Sequence, residues 1–351
     1  MDGQKHGSPG NVALAILVVA LALACAPPGP RGPSTLIYHQ AFWDTNLKVL
    51  AIALGQRDQG SFANEVWTYD PKKKLWAVLP PEPALDRCHT CLAFDPVAGL
   101  AVVYVDSRWN NFATMDVDQL NDTWTLDLRT RALRKLSTKG SPTPGMLGSN
   151  LVYDPVDDRF ILFGGYNTDT GEYFGETWIF DLGALAWTRL SPKVSPPPRN
   201  FSQAVWDSKV NKLVLTGGDS GGNKDPRTWL FDYATGEWTG VETTEGPEQA
   251  CYAGLAFVPE LGGTVQFGGV VGGKEKPKND TWLFDATALA WKKLSPPSAP
   301  TYRGWLTLTW DDMDQRLWLY GGGAKRTLPT DEFWYFDPAK TTWTRVERPK
   351  K

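Results

Sequence analysis

The chain has 351 residues, of which 42% are hydrophobic and 21% charged, and its formal net charge is -3. This balance is ordinary for a globular protein, and the lack of a clustered basic surface argues against a nucleic-acid partner. The 17 Trp, 34 Gly and 27 Pro, with no long amphipathic helical pattern, predict an all-β chain of many short strands.

The chain begins with a short polar stretch that carries Lys5, and an apolar run follows at residues 12–24. A membrane-spanning helix needs about 20 apolar residues, so this run is too short to cross a bilayer comfortably. A short charged start followed by a short apolar core is typical of a secretory signal peptide. We therefore interpret residues 1–24 as a signal peptide.

Cys25 follows the sequence Ala22-Leu23-Ala24 directly, and a Pro/Gly-rich tether occupies residues 25–35. This arrangement resembles a bacterial lipoprotein signal, although Ala22 stands where that signal usually has Leu. The resemblance implies that Cys25 is lipidated and anchors the protein to a membrane, with Ala26 favouring the outer membrane. The alternative is a secreted protein in which Cys25 is a spare cysteine.

A repeat of about fifty residues fills the rest of the chain, and repeats of this length indicate solenoids or propellers. Each copy contains a Trp, an Asp three residues later and, in all copies but the second, another Trp six residues after the Asp. The first Trp of each copy is Trp67, Trp124, Trp178, Trp229, Trp282 or Trp334. The second is Trp76, Trp187, Trp238, Trp291 or Trp343, and Leu133 takes its place in the second copy.

Two β runs joined by a tight polar turn precede each Trp motif, and a Gly-Gly pair ends the second run in four copies. The first copy has only Gly55 there, and the second has Asp106-Ser107, which predicts a different end for that strand. Each unit therefore contains four strands, A to D, which is one blade of a β-propeller. The paired Trp are expected in the core between blades, and the repeated Asp is expected to bond backbone in the C–D turn.

Residues 36–346 resemble the kelch family, through the Gly-Gly after strand B and the spaced Trp on strands C and D. The resemblance implies a six-bladed kelch-type β-propeller with four antiparallel strands per blade. The predicted blades span about 36–86, 87–145, 146–198, 199–249, 250–302 and 303–351. The manner of ring closure stays open, because every repeat reads as complete from A to D.

In a kelch propeller strand A is innermost and lines the channel. At one aligned position of strand A the residues are small or polar in every copy, namely Gln40, Cys91, Asn150, Gln203, Gly254 and Thr307. Cys91 belongs to the pattern "CHTC", which three readings fit: inert structural cysteines, a disulfide among Cys88, Cys91 and Cys251, or half of a metal site. With His6, His39 and His89 as the three histidines, we expect no metal and no cofactor, and copper-radical oxidase chemistry is disfavoured.

The B–C loops and the Pro-rich D–A connections should emerge on one face, where two groups of candidate binding residues lie. Arg87, Arg199 and Arg303 end D–A connections on alternate blades, either ringing the channel mouth for an anion or bracing the blades. The B–C loop at residues 106–121 begins at the candidate Asp106 and would expose Arg108, Trp109, Phe112, Asp116 and Asp118, unless its aromatic residues fold back. The third blade adds Tyr166 and Tyr173.

These features favour a monomeric binding module, exported and membrane-tethered, that holds a protein or glycan ligand on its loop face. No nucleophile motif, phosphate loop or paired-carboxylate signature indicates catalysis. The alternative is an extracytoplasmic carbohydrate-active enzyme, similar to the kelch-type sugar mutarotases, in which Arg87, Arg199 and Asp106 would supply binding or proton transfer.

Overall fold

The structure, a computed structural model, describes residues 31–57, 61–79, 90–111, 116–222, 225–271 and 276–348. It contains six four-stranded antiparallel sheets. In five of them the four strands are consecutive in the chain, and in the fifth blade a short two-stranded ribbon lies between the second and the third strand. The predicted all-β, six-bladed propeller is therefore confirmed. No helix in these ranges is long and apolar enough to cross a membrane.

The first three blades are regular except for one long pair of strands. Blade one contains β1 (Gln40–Asp44), β2 (Val49–Ala53), β3 (Trp67–Asp70) and β4 (Leu75–Val78). Blade two contains β5 (Cys91–Asp95), β6 (Leu100–Asn111), β7 (Asp116–Asp127) and β8 (Ala132–Lys135). Blade three contains β9 (Asn150–Asp154), β10 (Arg159–Phe163), β11 (Thr177–Asp181) and β12 (Ala186–Arg189).

The last three blades repeat the plan, with one addition in blade five. Blade four contains β13 (Asn200–Asp207), β14 (Lys212–Asp219), β15 (Thr228–Asp232) and β16 (Glu237–Val241). Blade five contains β17 (Gly254–Val258), β18 (Gly263–Phe267), β21 (Thr281–Asp285) and β22 (Ala290–Leu294), with a 3-10 turn at Pro259–Leu261 and a ribbon of β19 (Val270–Val271) and β20 (Lys276–Pro277). Blade six contains β23 (Gly304–Asp311), β24 (Arg316–Gly323), β25 (Phe333–Asp337) and β26 (Thr342–Arg345).

The six first strands form the inner wall of a closed ring. Each contacts the first strand of the next blade, and β1 of blade one contacts β23 of blade six. Because the strands alternate in direction, the A–B and C–D turns share one face, here called the turn face. The B–C loops and D–A connections share the other, the loop face.

The tight turns depend on aspartates that accept hydrogen bonds from backbone amides two and three residues later. In the A–B turn of blade one, Asp44 accepts from Asn46 and Leu47, each at 2.9 Å. In the C–D turn of blade five, Asp285 accepts from Thr287 and Ala288 at 2.8 and 3.1 Å. The prediction for the repeated Asp is confirmed, since such Asx contacts stabilise turns.

A repeated hydrogen bond latches neighbouring blades together. The Trp of strand D is buried in five blades, and in four of them its indole N–H donates to the Thr that directly precedes the strand C Trp of the preceding blade. These pairs are Trp187–Thr123, Trp238–Thr177, Trp291–Thr228 and Trp343–Thr281, at 2.8 to 3.1 Å. The first Trp of each motif is instead half-buried, except Trp229. The prediction of a tryptophan core therefore holds best for strand D.

Two junctions lack this latch, and both have apolar substitutes. Where Leu133 replaces the strand D Trp of blade two, Val66 replaces the Thr in blade one, and the two side chains belong to one hydrophobic cluster. Where Phe333 replaces the Thr in blade six, it packs on Trp76 of blade one with ring centroids 5.2 Å apart. Both members of the polar pair are therefore replaced at the first of these junctions, whereas at the second Trp76 is kept and only the Thr is replaced.

The ring closes through the segment before the first strand. The Tyr320 hydroxyl of blade six donates to the carbonyls of Pro33 and Ser34, each at 2.8 Å, and the Gly322 amide donates to the Leu36 carbonyl at 3.0 Å. The Arg348 guanidinium donates to the Arg31 carbonyl. Residues 31–39 thus occupy the place that a D–A connection holds between other blades, and each sheet keeps its own four strands.

Blade two departs from the prediction of a long B–C loop at residues 106–121. Strands β6 and β7 continue as a hairpin arm, with Asn111 paired to Asp116 and shifts of register between Val105 and Ser107 and between Trp109 and Asn111. The Gly-Gly at or near the end of strand B in blades three to six adopts positive φ, for example 69° and 91° at Gly217 and Gly218. Asp106 and Ser107 do not have positive φ, and in blade two the strands continue as a hairpin.

Candidate functional site

The channel is a cavity of about 790 Å³ whose wall is formed by the first strands of all six blades. The small or polar positions identified from the sequence, among them Gln40, Asn150 and Gln203, all line it. At the turn-face end the wall carries one aromatic residue per blade, namely Trp43, Phe94, Tyr153, Trp206, Phe257 and Trp310.

Toward the loop face the wall of the cavity carries a set of residues from five blades that we call the collar: Tyr38, Gly148, Phe201, Tyr252 and Trp305. Ring centroids lie 5.5 Å apart for Tyr38 and Tyr252 and 4.5 Å apart for Phe201 and Tyr252. Blades one and five are not neighbours, so these rings meet across the channel. The residues one position further out, such as Ile37 and Leu147, no longer line the cavity.

Backbone hydrogen bonds run around the collar from blade to blade. The amide of Phe201 donates to the carbonyl of Gly148 at 2.8 Å, that of Tyr252 to Phe201 at 3.2 Å, and that of Trp305 to Tyr252 at 2.9 Å. All five collar residues have positive φ, between 52° and 71°. Left-handed backbone is costly for a bulky side chain, and such strain concentrates at functional sites.

The arginines predicted at the channel mouth are buried within their blades. The Arg199 side chain is 0% exposed, bonds the Gly217 carbonyl at 3.0 Å and pairs with Asp225 at 2.5 Å. Arg303 is 1% exposed, bonds the Gly321 carbonyl and pairs with Glu332. Burial lowers the pKa of both guanidiniums and their carboxylate partners oppose that shift. The prediction of a ring of anion-binding arginines is thus wrong for these two, which brace the corner after strand B.

Three of the predicted loop-face residues lie on the hairpin arm of blade two and on blade three. Gln119 of the hairpin arm donates to Thr168 and Asp169 of blade three, at 2.7 and 3.0 Å. The exposed Arg108–Asp118 ion pair lies on the other face of the same arm, because neighbouring side chains of a strand alternate, and in blade three Tyr166 and Tyr173 pack with centroids 4.7 Å apart. The Tyr173 hydroxyl donates to Asp219 of blade four at 2.9 Å. We call Arg108, Asp118, Tyr166, Tyr173 and Asp219 the loop-face shelf.

The remaining predicted residues do not join this shelf. Asp106, predicted as a binding candidate, is instead fully buried at a register shift of β6 and accepts a hydrogen bond from Ser107 at 2.7 Å. Trp109 lies in β6. Neither Asp106 nor Arg199 lines the cavity, so the structure does not bring the proposed enzyme residues together there. Cys25, Arg87 and Phe112 lie outside the described residues.

Two cysteines lie among the described residues, and neither forms a disulfide there. Cys91 and Cys251 are free thiols, and burial raises the pKa of both, that of Cys251 to about 12. The Cys91 Sγ lies 3.5 Å from the Ser149 hydroxyl. No cluster that could hold a metal occurs among the described residues, while Cys88 and His89 lie outside them.

The collar was not predicted from the sequence, although its residues share one position of the repeat. Counting six places back from the Asp that ends strand A gives Tyr38, Gly148, Phe201 and Trp305, and the same count from Val258 gives Tyr252. A column of aromatic residues interrupted by one Gly was visible, but left-handed backbone at aromatic residues has no sequence signature.

Comparison with known proteins agrees with the fold. The family profile "KLHDC2/KLHL20/DRC7 Kelch-repeats domain" matches residues 99–295 and 153–351. A Bos taurus protein named Kelch domain-containing protein 2 is 26% identical over 252 residues, covering 64% of this chain and 60% of the relative. The Arabidopsis thaliana Acyl-CoA-binding domain-containing protein 4 is 25% identical over 211 residues, covering 54% of this chain and 29% of the relative. The chain therefore spans less than two thirds of either relative.

Proposed function

The chain belongs to the kelch-repeat family, and on that premise we propose that it binds a protein partner through the loop-face shelf. Kelch propellers commonly serve as protein-interaction modules, which supports this class of function over catalysis. The observation that carries the proposal is the docking of the hairpin arm onto blade three, which joins blades two, three and four into one surface.

The composition of the shelf supports protein recognition. Tyr and Arg are enriched at the energetic centres of protein interfaces, because they combine apolar area with hydrogen-bonding groups. The Arg108 and Asp118 side chains are 54% and 40% exposed, so they are available for exchange with charges on a partner. Tyr173 is held in place by Tyr166 and Asp219, and a side chain ordered before binding loses less entropy on binding.

We further propose that the protein is exported and held at a membrane by lipidated Cys25. This rests on residues 12–25 alone, because the relatives described above are eukaryotic proteins and lend no support to a bacterial lipoprotein. Expression in a Gram-negative host with labelled palmitate tests it. Label should enter the wild type and be lost in Cys25→Ser, whereas equal label in both would contradict the anchor.

The protein-binding proposal is tested in two stages. Partners captured by the tagged chain from an extract are purified, and their affinity is then measured for wild type, Tyr173→Ala and Arg108→Ala. We expect at least one partner whose affinity falls roughly tenfold or more with Tyr173→Ala, as at interface hot spots. Tyr233→Ala, in a C–D turn on the opposite face, is the matched control.

Two outcomes would contradict the proposal. One is a partner that binds every shelf variant as tightly as wild type. The other is binding of a glycan alone, detected on an array, which would assign the loop face to carbohydrate instead. Turnover in a sugar-anomerisation assay would favour the enzymatic alternative.

A further inference from the structure

Positive charge on the turn face is concentrated on blades one and two. The A–B and C–D turns of these two blades occupy residues 45–48, 71–74, 96–99 and 128–131. Their exposed cations form a set that we call the basic sector: Lys48, Lys72, Lys73, Lys74, Arg129 and Arg131. The exposed carboxylates of the A–B turns lie on other blades, namely Asp157 and Asp158 of blade three, Glu260 of blade five and Asp312 of blade six. The basic sector is therefore flanked by acidic turns, on blade three at one side and on blade six at the other.

Most cations of the basic sector are not neutralised by the protein itself. Lys73 pairs with Asp70 at 2.7 Å, and Arg129 pairs with Asp127 at 3.5 Å. The aspartates that begin the two A–B turns are buried and bond backbone amides. The remaining cations form no ion pair with any residue in the described ranges: Lys48, Lys72, Lys74 and Arg131. Uncompensated positive charge therefore projects into solvent from two adjacent blades.

Contacts between the turns make the basic sector one continuous surface. Asn46 Nδ2 of blade one donates to the Pro96 carbonyl of blade two at 2.9 Å, which joins the two A–B turns. Arg129 Nη2 donates to the Ala98 carbonyl at 3.4 Å, so the C–D turn of blade two reaches over the A–B turn of the same blade. Within blade one, strands β2 and β3 pair, and the two turns that carry its lysines lie side by side because paired strands are about 4.8 Å apart.

Aliphatic side chains are exposed among these cations. Leu47 and Val97, in the A–B turns of blades one and two, are 40% and 84% exposed. Leu75 directly follows Lys74 and is 51% exposed. Single exposed apolar residues are ordinary, but several of them grouped within one charged surface are typical of an interaction site. The basic sector thus offers apolar contact area as well as positive charge.

We propose that the basic sector docks an acidic segment of a partner protein, in which Asp or Glu residues alternate with Leu, Ile or Val. The carboxylates of the segment complement the unpaired Lys and Arg side chains, which speeds encounter and fixes orientation. Its aliphatic side chains remove Leu47 and Val97 from water, which supplies affinity. This surface lies on the opposite face of the propeller from the loop-face shelf and does not depend on the function proposed for that shelf.

The charge distribution favours a short protein segment over an extended polyanion. Charges on a protein surface are screened beyond about 8 Å at physiological ionic strength, so a short segment placed on the basic sector is affected mainly by these cations. A bilayer of anionic lipids or a nucleic acid would also meet the acidic turns of blades three and six, and the chain as a whole has a net charge of -3.

The proposal is tested with the full chain and a fluorescein-labelled peptide in which Glu alternates with Leu, by fluorescence anisotropy. The peptide should bind saturably, and its affinity should fall as salt is raised. A triple variant, Lys72→Gln/Lys74→Gln/Arg131→Gln, should weaken binding roughly tenfold, since each exposed ion pair contributes about two- to threefold. Val97→Ser should weaken binding by roughly threefold through lost apolar contact.

Matched control variants separate the surface from net charge. Lys193→Gln/Lys292→Gln/Lys325→Gln removes the same charge from exposed lysines elsewhere, and Val156→Ser changes the equivalent residue of blade three, which is 60% exposed. Both should leave affinity unchanged, and circular dichroism confirms that each variant is folded.

Four outcomes would overturn the proposal. They are no saturable binding of the acidic peptide, equal affinity for a peptide with Gln in place of Glu, an equal loss in the two triple variants, and tighter binding of phosphatidylserine vesicles or single-stranded DNA than of the peptide. The last would assign the basic sector to a polyanion instead.

Discussion

The latch between blades three and four makes a sharp prediction for stability. Trp238 Nε1 donates to the Thr177 hydroxyl at 3.0 Å, and the two residues are 3% and 1% exposed. Thr177→Val keeps the shape of the side chain and leaves the indole N–H buried without a partner, which costs about 1–3 kcal/mol. Valine also avoids burying a hydroxyl, so we expect a net loss of about 1–2 kcal/mol in the free energy of unfolding.

Urea denaturation followed by circular dichroism measures this loss. The control is Thr188→Val, on exposed strand β12 of blade three, which should stay within about 0.5 kcal/mol of wild type. In a Trp238→Phe background the indole N–H is absent, so Thr177→Val should lose its penalty. The stabilising role of this hydrogen bond would be refuted if the penalty persisted in that background. It would also be refuted if the Thr177→Val protein were as stable as wild type.

Three further predictions use other features. Arg199→Met should cost about 1–3 kcal/mol in the free energy of unfolding, because Asp225 would keep Arg227 but lose one buried partner; urea titration measures this, and a loss below about 0.5 kcal/mol would contradict the bracing role. Leu289→Gly should raise stability by up to about 1 kcal/mol, since Leu289 has φ 54° and is 45% exposed, whereas Leu47→Gly at an ordinary turn position should lower it. Because the folded pKa of His39 is about 3 and the unfolded value about 6.5, only the unfolded state takes up this proton between those values. Stability should therefore fall as pH drops through that window, and His39→Gln should flatten the urea midpoint against pH there.

The fold could be predicted from the sequence because each repeated residue type has one structural role. Gly-Gly marks the end of strand B, Asp marks the turns, and the second Trp marks strand D, so six copies were enough to fix six blades. Blade two lacks Gly-Gly, and Asp106-Ser107 in its place predicted a different end for strand B. The structure agrees, because strands β6 and β7 continue as a hairpin arm.

The candidate site was harder to predict, because its geometry depends on partners far away in the chain. The sequence predicted that Arg199 lies at the rim of the channel, but in the structure it is buried and pairs with Asp225 in the B–C loop of the same blade. The collar is formed by Tyr38 and Tyr252, which lie more than two hundred residues apart and meet because the ring closes. Spacing within one repeat carries no information about such contacts.

Closure through residues 31–39 has a consequence for how the chain can be connected. The Arg348 guanidinium bonds the Arg31 carbonyl, so the two ends of the propeller are neighbours in space. Within residues 31–348, as far as they are described, each blade takes its four strands from one continuous stretch of the chain. A circular permutant that joins residue 348 to residue 31 through a short linker and begins in the D–A connection after β12 would keep every strand pair. The position of the termini is therefore one of six equivalent places at which this ring can be cut.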